Sequence, residues 1–352
     1  MNDTKRKYMS YDFERFARIR GVEVNWPSHH PRRSILALRV LLYLSSPESP
    51  FEGQKFDMWK VVQRFYRAYW VEKVDISDEP SLAAVVASLG VSGDIVQQAN
   101  ACEIVKQLLS TRTEEAIERG LFGVPTFFVN VHGSPNNHRL IYGQDQLEDL
   151  EHALGGKTHL DLLLEKPRGK LYPVTFYFDF SSPYTYLAFL RIEKLFGADN
   201  VKFVPVLLGA IFKGVGQSNM PAAMMGPTRQ RWSTSELFRL IEAQDAPFTW
   251  ASRFPIRTVL PLRFAIAAGP NSKEGRKLIG ALFKAFWGDD LDSNDPQVCI
   301  QVANSCELDG EAIAQAANSN DAKDALHKNT SKALENGVFG LPMVRFMMHP
   351  SY

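Results

Sequence analysis

Two stretches of this chain repeat each other in the same order, and that duplication constrains the fold more than any other feature. Asn25-Trp26-Pro27-Ser28-His29-His30-Pro31-Arg32-Arg33 aligns with Thr249-Trp250-Ala251-Ser252-Arg253-Phe254-Pro255-Ile256-Arg257. Arg67-Ala68-Tyr69-Trp70 aligns with Lys284-Ala285-Phe286-Trp287, and Glu118-Arg119-Gly120-Leu121-Phe122-Gly123-Val124-Pro125 with Glu335-Asn336-Gly337-Val338-Phe339-Gly340-Leu341-Pro342. The spacings differ by one loop, Ser45 to Gln54, which is longer in the first copy. The copies are complementary. The second has about 80 residues, Leu171 to Thr249, before its Trp motif, whereas the first has only 25. The first runs on from Pro125 through Thr126 to Leu154, whereas the second stops soon after Pro342. The expected organisation is a first copy over residues 1–156, a linker over 157–172 and a second copy over 173–352.

Local patterning supplies the elements. Val174 to Phe180 is β-branched and aromatic, as in a buried strand. Ser181-Ser182-Pro183 carries a hydroxyl cap and a first-turn proline, a helix start. Tyr184 to Phe196 has helical apolar spacing, and Val201 to Leu208 reads as a second strand, so the two strands should be parallel. Thr228 to Asn336 is helical, with turns at Ala268-Gly269-Pro270-Asn271 and Asp292-Ser293-Asn294-Asp295-Pro296. The first copy repeats this from Tyr11 to Arg119. Thr126 to Val131, a turn at Gly133-Ser134-Pro135-Asn136-Asn137, Arg139 to Tyr142 and a helix from Gln144 to Leu154 follow. Strand–helix–strand, helical lobe, X-Pro, hairpin and helix is the order of an α/β thioredoxin-like fold with inserted helical lobes.

Charge and cysteine usage exclude several classes. Lys plus Arg is 40 against 39 Asp plus Glu, so the basic excess that a nucleic-acid binder needs is missing. No apolar run reaches the roughly 20 residues of a membrane span, and Met1 to Lys7 is not followed by the apolar core of a signal peptide. Cys102, Cys299 and Cys306 form no C-x-x-C, a usage that suits a reducing compartment; the expected location is the cytoplasm. The pair His29-His30 has no carboxylate or cysteine spaced to complete a metal site. Cys299 and Cys306 read as small core residues.

Phe176-Tyr177-Phe178-Asp179-Phe180-Ser181-Ser182-Pro183-Tyr184-Thr185-Tyr186 resembles the opening motif of the 2-hydroxychromene-2-carboxylate isomerase and kappa-class glutathione transferase family. That family shares its thioredoxin fold with the DsbA-like disulfide oxidoreductases. Phe339-Gly340-Leu341-Pro342, Phe122-Gly123-Val124-Pro125 and Gly143-Gln144-Asp145-Gln146 extend the likeness over nearly the whole chain in two instalments. The redox relatives carry two cysteines where this chain has Ser182 and Thr185, and two hydroxyls cannot exchange a disulfide.

Ser182 is first of all a helix cap. The resemblance implies more: a hydroxyl that donates to the sulfur of bound glutathione and favours its thiolate. Lowering a thiol from about 8.5 to about 7 takes roughly 2 kcal/mol. One hydrogen bond to a charged group contributes about 1.5–3 kcal/mol and a helix N-terminus about 0.3–1, so no metal is required. Pro183 and Tyr184 continue that helix start. By the same resemblance Val124 or Leu341, each before a proline (Pro125, Pro342), would hold the cysteinyl backbone of glutathione. Gln144 and Asp145, otherwise a cap with an acidic first turn, would bind its γ-glutamyl end. Asn219, in Ser218-Asn219-Met220-Pro221, is either a polar loop residue or part of the glutathione or substrate site. Trp250 and Trp287, repeated in the first copy, read as core anchors, and Arg253 could pair with a carboxylate substrate.

Ser182 lies in one copy and the Gln144-Asp145 pair in the other, so a complete site borrows across copies. Two pairings are open: the hairpin after Pro125 joins the Val174–Leu208 unit as a permuted domain, or the strand after Pro342 does. The activity implied is a glutathione-dependent isomerase acting on an aromatic hydroxy or oxo acid such as 2-hydroxychromene-2-carboxylate, with Phe180, Tyr184 and Phe212 suited to a flat substrate. The alternatives are a kappa-like transferase that conjugates small electrophiles and a degenerate, non-catalytic thioredoxin-fold binding protein. Partners are a small aromatic or electrophilic molecule, with no nucleic acid and no membrane, and a homodimer is admissible.

Overall fold

A computed structural model describes residues 3–52, 56–130, 138–155, 172–218 and 224–346. The expected linker, apart from Tyr172, the turn at Gly133 to Asn137, and Asn219 all lie outside the described residues. Two compact units form: Lys7–Phe122, and Met1–Arg6 with Gly123–Tyr352.

The smaller unit is helical. It holds most of α1 (Asp3–Ile19), with α2 (Ile35–Ser45), α3 (Met58–Trp70), α4 (Glu79–Ala87), α5 (Asp94–Ala101) and α6 (Glu103–Glu118). Val40, Ala68, Leu82, Val86 and Val96 are fully buried in its core. Asp57 and Asp78 cap α3 and α4 by accepting from the backbone N–H groups of Trp59 and Ser81. Trp26 is not an anchor of this core. It stays half-exposed and meets Trp70 edge-on at 5.5 Å and His30 at 5.0 Å. His30 Nδ1 lies 2.9 Å from the Tyr69 hydroxyl. Among the described residues no group of three or more His, Cys, Asp or Glu could hold a metal.

The larger unit opens with the hairpin of β1 (Thr126–Asn130) and β2 (His138–Tyr142), paired antiparallel with Thr126 opposite Tyr142, and with α7 (Leu147–Ala153). Then come β3 (Val174–Phe178), α8 (Pro183–Phe196), β4 (Val201–Pro205) and α9 (Leu208–Gly214). The lobe follows as α10 (Pro227–Ala243), α11 (Val259–Ala267), α12 (Lys273–Trp287), α13 (Pro296–Ser305), α14 (Gly310–Asn318) and α15 (Asn320–Glu335), ending in β5 (Met343–Phe346).

Strand order is β4-β3-β5, with β3 parallel to β4 and antiparallel to β5. The parallel pair is the one the α8 crossover demands. Every residue of β3 is buried, which is why it reads as an unbroken apolar run. Both strands end earlier than their apolar patterns, because Phe180 turns into the core before α8 and Leu208 begins α9. Phe176, Phe178, Phe180, Phe203, Phe283 and Phe286 share one core with Trp287, whose ring stacks on Phe248 at 5.6 Å and whose indole N–H donates to the Phe180 carbonyl at 2.8 Å. Trp287 is therefore a true anchor, while its companion Trp250 remains partly exposed against Phe254 and Trp287.

The permuted pairing is not formed. β5, after Pro342, holds the edge of β3, and β1 pairs with β2 in a sheet of its own. The hairpin and α7 instead pack on α10. Tyr142 meets Trp232 edge-on at 5.5 Å, and Arg239 donates to Asp149 at 2.7 Å.

Candidate functional site

Ser182 stands where β3 has ended and α8 begins, in extended backbone conformation, followed by Pro183 at the first helical position. Proline suits that place because its missing N–H would have no partner there. Ser182 Oγ accepts from the Thr185 N–H at 3.2 Å, the cap that the sequence implies. Its own proton points to the Leu341 carbonyl at 3.5 Å, the outer edge of hydrogen-bond range. The hydroxyl thus serves as the acceptor of the cap and is only weakly engaged as a donor. Ser182 is buried, and the Leu341–Pro342 peptide that faces it is cis.

Thr185, one turn on, is completely buried, and its Oγ1 has no hydrogen-bond partner among the described residues. Neither position holds a thiol, so the helix start has hydroxyl chemistry alone. Tyr184 projects from the same turn, partly exposed. Its hydroxyl reaches the carbonyl and hydroxyl of Ser233 on α10, each at 3.3 Å.

Beneath the turn lies a residue that the sequence reading passed over. Asp179 is almost wholly buried, accepting from Thr258 Oγ1 at 2.5 Å, the Leu208 N–H at 2.7 Å and the Ser181 N–H at 3.0 Å. It ties the β3–α8 turn to the starts of α9 and α11. Burial pushes its carboxyl above the ordinary carboxylate value, against the pull of those three donors. A lone acid inside the apolar run Phe178-Asp179-Phe180 was the available signal. A second feature missed is the pair of cis peptides His30–Pro31 and Phe254–Pro255, at matching places in the two copies.

The remaining site residues gather at the hairpin. The Val124–Pro125 peptide is also cis, with Val124 78% exposed, and the Gly143 N–H donates to the Pro125 carbonyl at 3.0 Å. Gln144 and Asp145 are exposed in a short 3₁₀ turn ahead of α7, rather than in the helix itself. Asp145 folds back over Gly143, whose φ of +107° and lack of Cβ permit that approach. The expected residues therefore form two groups, Ser182-Pro183-Tyr184 with Leu341-Pro342, and Val124-Pro125 with Gln144-Asp145. Among the described residues no hydrogen bond or ion pair joins Ser182 to the second group. Both groups rest on α10, one through Ser233 and the other through Trp232 and Arg239.

Two expected substrate contacts are corrected. Phe180 is fully buried in the core and cannot line a groove. Arg253 is held by Asp292 at 3.3 Å instead of waiting for a ligand carboxylate.

A family model described as the DSBA-like thioredoxin domain matches the chain twice, over residues 1–155 and 173–347. The chain belongs to the DSBA-like thioredoxin family. Both matches together make it a tandem duplication of that domain. It is 25% identical over 183 residues to a 2-hydroxychromene-2-carboxylate isomerase of Sphingobium xenophagum, covering 49% of this chain and 87% of that protein. It is also 25% identical over 187 residues to glutathione S-transferase kappa 1 of Caenorhabditis elegans, covering 50% of this chain and 80% of that one. A solved 2-hydroxychromene-2-carboxylate isomerase matches with a TM-score of 0.44 at 22% identity, over 49% of this chain and 84% of its own. These relatives are enzymes, and the DSBA-like chain described here is similar to them over about one copy's length. No helix among the described residues is long and apolar enough to cross a membrane.

Glutathione fits the donor set at the start of α8. The Ser182 proton is nearly unengaged, a helix N-terminus lies behind it, and the backbone before a cis-proline runs alongside. The residues that would face it are Ser182 and Leu341, while Gln144 and Asp145 stand in the other group.

Proposed function

We propose that this chain is a glutathione-dependent isomerase acting on an aromatic hydroxy or oxo acid of the 2-hydroxychromene-2-carboxylate type. The observation that carries the reading is the Ser182 hydroxyl, bound as an acceptor by its own helix yet 3.5 Å from its nearest acceptor. Rotation of the hydroxyl about its Cβ–Oγ bond would turn its proton toward a sulfur while Oγ stays in the cap. The α8 N-terminus adds a favourable field for negative charge there. Bound glutathione would supply a nucleophilic sulfur able to add to an unsaturated carbon and leave again. Ser182 holds the negative charge on that sulfur, Leu341 offers its backbone at the strand edge, and Tyr184 borders the place where a flat substrate would lie. Asp179 stiffens the turn that aims Ser182. Three free cysteines with no C-x-x-C fit a reducing, cytoplasmic setting.

The kappa-class relative favours a second reading, conjugation of an electrophile to glutathione. Incubating the protein with glutathione and 2-hydroxychromene-2-carboxylate separates the two. Turnover with the glutathione pool unchanged supports the isomerase, and stoichiometric loss supports the transferase. If millimolar glutathione leaves the melting temperature unmoved, the chain does not bind it and both readings fail, since a ligand of the native state must stabilise it.

A further inference from the structure

The outer edge of β4 carries backbone groups that a neighbouring strand would ordinarily satisfy. The Val206 N–H donates to the Phe178 carbonyl, so the even-numbered residues of the parallel ladder turn their backbone groups to β3. Val201, Phe203 and Pro205 turn theirs away, and no described strand covers that side. Such an edge is a ready template for a strand of another chain.

Each of these outward groups nevertheless has a partner, and at every carbonyl the partner is a side chain. The Asn271 amide, in the turn between α11 and α12, accepts from the Phe203 N–H at 2.8 Å and donates to the Phe203 carbonyl at 3.1 Å. Arg276 of α12 donates to the Val201 carbonyl at 3.0 Å, and Asn329 of α15 donates to the Pro205 carbonyl at 3.2 Å. The Val201 N–H bonds to the Ala198 carbonyl, and Pro205 has no N–H to satisfy. Phe203 therefore has both its backbone groups held by one side chain. Those two bonds are the pair that a residue directly opposite in an antiparallel strand would exchange with it. Asn271 is exposed, and a groove of about 650 Å³, with Ala198, Asp199 and Arg276 in its lining, opens beside it. The amide thus stands between the strand edge and open space.

We infer that Asn271 is a strand surrogate, whose amide occupies the pairing position on β4 and keeps that edge from joining the β4 edge of a second copy of this chain. The edge is self-complementary at Phe203, because an N–H and a carbonyl point outward from the same residue. Two copies related by a two-fold axis at Phe203 would exchange both bonds, an isologous contact. A second copy, present at the chain's own concentration, is the partner this edge fits once the amide is gone. Neither glutathione nor substrate takes part, so the inference is independent of the proposed activity.

Sedimentation of the full chain at micromolar concentration tests it. Asn271→Ala removes both bonds and should add a species of about twice the wild-type mass that grows with concentration. Asn271→Asp still accepts from the Phe203 N–H, but it sets two carboxylates against each other across the axis, so it should sediment as the wild type does. A role confined to stability would weaken both variants without separating them. If the alanine variant does not fold, Asn271→Ser, which keeps only a hydroxyl on the edge, takes its place with the same expected species. Cross-linking locates the contact. On an Asn271→Ala/Cys102→Ser background, Lys202→Cys chains mixed with Val204→Cys chains should form a disulfide-linked dimer on oxidation, because residues 202 and 204 face each other when Phe203 lies on the axis. A variant without the amide that sediments as the wild type, an aspartate variant that associates equally, or association without the cross-link overturns the assignment.

Discussion

Replacing Ser182 by alanine separates its two roles, because they use opposite ends of one hydroxyl. The acceptor end caps α8, and such a cap contributes about 0.5–2 kcal/mol. Here the Thr185 N–H also reaches the Ser182 carbonyl at 3.0 Å, so it keeps a partner when Oγ is lost. The cost should fall at the low end, about 0.5–1 kcal/mol in a urea melt. The donor end is the one the proposed chemistry needs. A hydrogen bond to a charged acceptor contributes about 1.5–3 kcal/mol, and each pKa unit corresponds to about 1.4 kcal/mol. Alanine should therefore raise the thiol pKa of bound glutathione by about one to two units. The assay is the ultraviolet absorbance of the thiolate, titrated with saturating protein, wild type against Ser182→Ala. A small stability change with a large shift of the titration midpoint is the expected pair of results. A midpoint that does not move, in a variant that still folds and binds, refutes the role given to Ser182.

Four further outcomes follow from the geometry. Thr185→Val keeps the shape and removes a buried hydroxyl that has no partner among the described residues, so it should stabilise the chain by about 1 kcal/mol in the same melt; destabilisation would mean that Oγ1 is satisfied after all. Trp287→Phe strips the buried Phe180 carbonyl of its donor and leaves a void, and should cost about 3 kcal/mol. Asp179 has its folded-state pKa raised by burial above 3.8, so the folded chain holds that proton more firmly. Its contribution is complete below 3.8 and is lost as pH rises through the folded value. Wild type should lose stability relative to Asp179→Asn over that rise, and acid-range urea melts that show the opposite trend would mean the three donors outweigh burial. Finally, Cys299 and Cys306 are buried, and burial pushes the Cys299 thiol up to about 12. A thiol reagent at neutral pH should label Cys102 alone in the native chain and all three cysteines in denaturant.

Much of this molecule is legible in one dimension because its signals are local. The repeat is a matter of residue order. The β3 run shows itself through unbroken apolar character, since a strand covered on both faces has no polar side to alternate with. Ser182-Pro183 announces a helix start because capping involves atoms only a few residues apart. The parallel β3–β4 pair follows from a crossover helix of ordinary length between them. Local patterns also mislead where burial depends on distant partners. Trp26 and Trp287 carry the same aromatic signal, yet one stays half-exposed and the other is fully buried, because only Trp287 finds the Phe180 carbonyl and a place in the phenylalanine-rich core.

What the chain alone determined was the kind of domain, its duplication and the absence of thiols at the start of α8. Each depends on residue identity and spacing, which the covalent order states outright. Which proline faces Ser182 was settled only in three dimensions. Both Gly-x-Pro segments are equally eligible in the sequence, but β3 has a single free edge beside β4, and the strand after Pro342 takes it. Asp179 likewise becomes a structural tie only when Thr258, from the distant lobe, closes over it. Pairing across a sheet edge and burial of a charge are decided by what the folded chain brings from elsewhere, and no window of neighbouring residues contains that information.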